Sequence, residues 1–149
     1  MEEKLKKLGI ELPDPKPPVA NYVGYTQSGN IVFVSGQISQ TKGKLGADVT
    51  AEQGYEAAKQ SAISVLAQLK AACGGNLTQV KSCLKLDVFV NSTNEFTQQP
   101  AVANGASDLI AEVVGKHARA AVSSNSLPLG VAVEVAGVFE VYSLVQNSG

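Results

Sequence analysis

The run from Val131 to Val141, "VAVEVAGVFEV", constrains the fold more than any other stretch of the chain. Its side chains alternate with period two, so Val131, Val133 and Val135 belong to one face of a strand and Ala132, Glu134 and Ala136 to the other. Only two long helical patterns are available to cover a sheet built on this strand. Two helices cover one face, and the other, made of small residues around a carboxylate, must meet solvent or another subunit. Its alanines favour a subunit.

The elements around that strand read in order. Thr50 with Gln53 three residues on forms a capping box, and Tyr55, Ala58, Ala62, Val65, Leu66 and Leu69 recur at helical spacing until Gly74-Gly75 stops the helix. A second helix is expected over about 99–114, presenting Val102, Ala106, Leu109, Ile110 and Val113. "NYVGYTQ" and "IVFVSGQI" flank Ser28-Gly29-Asn30 as a hairpin, "GKLGADV" suggests a short extra strand, and further strands are expected over 80–90, 117–123 and 131–143. The resulting β-β-α-β-α-β-β order describes an α+β domain, a mixed sheet with both helices on one face. Ahead of it, residues 1–9 can make about two helical turns with Leu5 and Leu8 on one side. The four prolines of "LPDPKPPVA" then enforce an extended tether. Residues 1–19 therefore read as an N-terminal extension and 20–149 as the domain.

Composition removes several function classes. A chain of 149 residues with net charge −1 and 17% charged side chains offers no basic field for nucleic acid. No apolar run reaches the ~18 residues of a membrane span, and the start "MEEKLKKLGI" has no apolar signal core, so a cytoplasmic protein is expected. Cys73 and Cys83 lack CxxC spacing and the chain has one histidine, which predicts reduced structural thiols, no metal site and no cofactor.

Against this background Arg119 stands out as the sole arginine beside eleven lysines, two residues after the sole histidine, His117. It opens "RAAVSSNSLPLGVAVEV", in which seven residues separate it from Leu127-Pro128 and Glu134 follows fifteen residues later. An arginine and a glutamate on the uncovered sheet face would line a cleft between protomers. That spacing, with "NYVGYTQSGNIVFVSGQI" and its Ser35-Gly36-Gln37, resembles the Rid family of reactive intermediate deaminases, also called YjgF-like. The resemblance implies a chorismate-mutase-like fold assembled as a homotrimer, with active sites between neighbouring subunits. It implies hydrolysis of small imino or enamine acids, such as 2-aminoacrylate or 2-iminobutanoate, to a 2-oxo acid and ammonia.

Carried over by position, Arg119 would clamp the substrate carboxylate with both arms of its fork, and Glu134 would orient and deprotonate water. The backbone of Ala121 would complete the clamp, while Tyr22, Ser35 and Asn104 would line the pocket; His117 is given no role. Two other functions stay open: a noncatalytic binder of small carboxylates, and a ribonuclease, against which the acidic balance weighs.

Overall fold

The hairpin forms where the turn residues put it. Tyr25–Ser28 (β1) pairs antiparallel with Ile31–Ile38 (β2), and Gly29 takes the positive φ of 57° that the turn between them needs. In this computed structural model, which describes residues 1–18 and 21–143, the chain continues through Ala51–Ala72 (α2), Val80–Asn91 (β3), Gln99–Val113 (α3), Ala118–Ser124 (β4) and Val133–Val141 (β5). The expected order of strands and helices is the observed one. The strands make one sheet in the order β1-β2-β5-β3-β4, antiparallel except for the β3–β4 pair, which α3 crosses over to join in parallel.

Local chemistry accounts for the helices. The Thr50 hydroxyl accepts from the Gln53 amide at 3.1 Å while the Gln53 side chain accepts from the Thr50 amide at 2.9 Å, closing the capping box that starts α2. Both α2 and α3 lie on one face of the sheet and bury Val65, Leu66, Leu69, Val102 and Ile110 against Val32, Leu86, Val88 and Val135. The two helices also touch each other closely. A Cβ at Gly105 of α3 would overlap the backbone carbonyl of Tyr55 in α2, so a glycine is required at the crossing.

Three expectations change. "GKLGADV" makes no strand; Leu45 instead donates its amide to the Asn91 carbonyl and accepts from Thr93, leaving only isolated bridges. The N-terminal helix Glu2–Lys7 (α1) is present, but Leu5 alone is buried (3% exposed) and Leu8 caps it at 45%. At six residues the helix has one inward position, so the second leucine turns outward. The proline segment is also more than a free tether, since the Gln68 side chain of α2 donates to the Lys16 carbonyl at 3.0 Å. The boundary expected at 19/20 lies outside the described residues.

The helix crossing gives a direct test. In Gly105→Ala the new methyl meets backbone, which cannot swing aside, so α2 and α3 must separate and the shared core loosens. The variant is expected to lose about 2–3 kcal/mol, read as a thermal midpoint lower by roughly 6–10 °C.

Candidate functional site

Arg119 sits on β4, the edge strand, in register with Leu86 of β3, and therefore on the helix-covered side of the sheet. Its guanidinium lies against α3. Nη1 donates to Asn104 Oδ1 at 2.8 Å and to Ser107 Oγ at 3.1 Å, two positions one helical turn apart, and Nη2 donates to the Pro100 carbonyl at 3.3 Å. All three acceptors are neutral. No carboxylate among the described residues lies within ion-pair distance of Arg119. Three of its five donors are engaged, and Nε–H and one Nη2 hydrogen have no acceptor among the described residues. Nε and Nη2 together form the edge that a carboxylate meets with two parallel hydrogen bonds. Ala121, half-buried two residues further along β4, shares the arginine's face.

Glu134 stands on the opposite face of β5, facing Ile38 of β2 and Phe89 of β3. Beside it β2 carries a bulge, because Val34 and Gln37 pair with Gly137 and Val135 and one extra residue is accommodated at Ser35-Gly36. The bulge has a steric reason: a Cβ at Gly36 would overlap the Glu134 carboxylate. The Gly36 of "SGQ" thus makes room for the acid. Burial pushes the Glu134 carboxyl above its ordinary range. The carboxylate opens on a cavity of about 400 Å³ shared with Tyr22, Ile38, Pro128 and Leu129. Ser35 supports this wall without lining it; its hydroxyl donates to the Val23 carbonyl at 2.6 Å and its amide to the Gly24 carbonyl at 2.9 Å.

The expected residues thus fall into two groups, Arg119 with Asn104 and Ala121, and Glu134 with Tyr22 and, behind it, Ser35. The reading that put Arg119 and Glu134 on one uncovered face is corrected. Leu86 and Phe89, their partners on β3, are three residues apart, and an odd separation puts their side chains on opposite faces. Sequence reasoning also missed Ser107 and the Pro100 carbonyl, which hold the guanidinium, and Lys16, Pro17 and Pro18, which wall the cavity. Spacing could have suggested Ser107, three residues after Asn104 on one helix face; nothing in the sequence marked the prolines.

Among the described residues no three His, Cys, Asp or Glu side chains gather as an ion site. Burial raises both thiols, that of Cys83 to about 12, which keeps them protonated.

Known proteins are similar to this chain in sequence and fold. The family described as "YjgF/chorismate mutase-like, putative endoribonuclease" matches residues 2–145. Protein TCP17 of Trypanosoma cruzi is 47% identical over 147 residues, covering 92% of this chain and 91% of that protein. The crystal structure of Atu1372 from Agrobacterium tumefaciens, whose function is unknown, superposes with a TM-score of 0.87 at 42% identity over 94% of this chain and 91% of that one. That of E. coli TdcF with bound serine gives a TM-score of 0.61 at 27% identity, over 87% and 94% of the two chains. With its five-stranded mixed sheet backed on one face by α2 and α3, the chain belongs to the YjgF/chorismate mutase-like family.

Proposed function

We propose that the protein hydrolyses small imino and enamine acids to 2-oxo acids and ammonia, in clefts where the β4 edge of one copy meets the open sheet face of the next in a trimer. The observation that carries this reading is the separation of the two groups. A guanidinium with two donors left free and a carboxylate of raised pKa lie on opposite faces of one sheet, so one substrate meets both only between copies. The serine held by E. coli TdcF supports an amino-acid-sized ligand.

In the reaction the Nε–Nη2 edge of Arg119 holds the substrate carboxylate, with Asn104 and Ser107 fixing the plane of the fork. The imine carbon then faces Glu134 of the neighbouring copy. The Glu134 carboxylate takes a proton from water as the water oxygen bonds to the imine carbon, and passes it to the nitrogen, which receives the C=N electron pair. In the collapse of this adduct Glu134 carries the hydroxyl proton to the departing nitrogen as the C–N bond breaks and the carbonyl forms, so ammonia leaves and Glu134 returns to its starting state. A carboxyl with a raised pKa is a stronger base than an exposed one, which suits proton transfer near neutrality. The ribonuclease role carried in the family's description would need a basic groove, and the net charge of −1 does not supply one.

Generating 2-iminobutanoate in situ with a lyase or oxidase and following 2-oxo acid release tests the chemistry. Wild-type protein accelerates release and Glu134→Gln slows it by on the order of 10²; no acceleration by the wild type leaves a carboxylate binder. Mixed assembly tests the sharing of sites. When Arg119→Ala and Glu134→Gln chains, each strongly impaired alone, are refolded together, about a quarter of the clefts pair both native residues and activity rises towards that fraction of wild type. A site within one protomer would regain none.

Glu134→Gln also has a stability signature. Because burial raises the folded-state pKa, the folded protein binds the proton more tightly than the unfolded chain, and this contribution is lost as pH rises through the folded pKa. The glutamine variant should melt above wild type at neutral pH, with the gap closing below about pH 4, where both states of the acid are protonated.

Arg119→Lys keeps the charge and discards the fork. Titration calorimetry with pyruvate should show binding weaker by about 2–3 kcal/mol, with trimers intact by light scattering. Equal affinity would reassign Arg119 to structure.

A further inference from the structure

The cavity beside Glu134 is larger and more apolar than a three- or four-carbon imino acid requires. Its volume of about 400 Å³ falls within the range of pockets that take much bulkier ligands. Pro17, Pro18, Ile38, Pro128 and Leu129 present carbon, and the phenol ring of Tyr22 closes one side. Two of its polar side chains are engaged within the chain. Gln68 donates to the Lys16 carbonyl at 3.0 Å, and Gln37 donates to the Ser35 carbonyl at 3.0 Å.

Two features of the wall are built rather than incidental. The first is the strap that carries Pro17 and Pro18. Proline fixes φ, so this segment loses little freedom on ordering, and it is held on its upstream side: Leu5 is buried in the core, and Gln68, itself 3% exposed, grips Lys16 immediately before Pro17. The second is Leu129, whose backbone adopts φ 59° and ψ 15° although it is not a glycine, while its side chain remains 69% exposed. Left-handed backbone is unfavourable for leucine, and within its own chain the side chain recovers little by packing. Its position fits a residue kept for what it contacts beyond the chain.

We infer that Pro17, Pro18 and Leu129 form a side-chain subsite, and that the preferred substrates are imino acids with leucine-sized apolar side chains. The inference rests on the deaminase site proposed above and specifies its substrate class. A side chain on the imine carbon is the part of such a substrate that extends from beside Glu134 into the cavity. Walls made mostly of carbon favour an apolar group over a hydroxyl or amide, and the Glu134 carboxylate disfavours an acidic one.

Full-length protein titrated with pyruvate and with the 2-oxo acid of leucine, the corresponding products, gives the test. The leucine-derived acid should bind about tenfold tighter, the scale on which apolar pockets discriminate chain length. That ratio should fall towards unity in Leu129→Gly, which relieves the backbone strain, and in Pro17→Gly/Pro18→Gly, which slackens the strap while leaving Leu5 and the core untouched. Equal affinity of the wild type for both acids overturns the subsite, as does a ratio that survives both variants. Binding of neither acid overturns the site and the subsite together. The expected ratio combined with no acceleration of imine hydrolysis keeps the subsite but removes the deaminase.

Discussion

The packing of α2 and α3 on a single face of the sheet is the constraint from which the other features follow. The helices approach closely enough at Gly105 that a methyl group would strike the Tyr55 carbonyl, and this contact fixes one apolar layer over Val32, Leu86, Val88 and Val135. No element of the described chain is left to cover the other face. Phe33, Leu84 and Val122 are exposed accordingly, and Glu134 lies on that same side. Covering one face only also leaves β4 as an edge strand with α3 behind it, which is how a guanidinium on β4 comes to be held by Asn104 and Ser107. The proposed chemistry thus depends on a layer that contains none of its atoms.

Much of this was legible because it is local. The capping box at Thr50, the helical recurrence through Leu69, the Gly29 turn and the alternation through Val141 are each set by neighbours a few residues apart, and each forms as the sequence indicates. The face occupied by Arg119 was not legible, because it depends on the register between β3 and a parallel strand reached through a whole helix. Period two says which residues share a face within one strand. It does not say which face of a neighbouring strand they join, and here the answer reversed the simple reading. The part played by Gly36 was hidden for a related reason: its neighbour is Glu134, far away in sequence, and only the bulge brings the two together.

Burial treats the two charged groups differently. Desolvation raises the Glu134 pKa, and no cation among the described residues lies within ion-pair distance to offset it, which makes it a better base and a destabilising residue at neutral pH. Arg119 exchanges water for three neutral acceptors, so its field is not cancelled by a partner among the described residues. A structural arginine is more commonly neutralised by a carboxylate, and several lie elsewhere on the chain. Leaving both groups unpaired within one copy is consistent with each meeting its counterpart from outside.

A hydrogen-bonded chain stands behind the guanidinium. Ser107 Oγ accepts from Arg119 at 3.1 Å and lies 2.9 Å from His117 Nε2, and His117 Nδ1 donates to the Gly115 carbonyl at 3.0 Å. Arginine, serine, histidine and backbone are thus linked in one run. A lysine at 119 could reach some of the same acceptors, but a single ammonium cannot engage Asn104, Ser107 and the Pro100 carbonyl and still turn a two-donor edge outward. That geometric demand explains why a chain with eleven lysines carries its one arginine here.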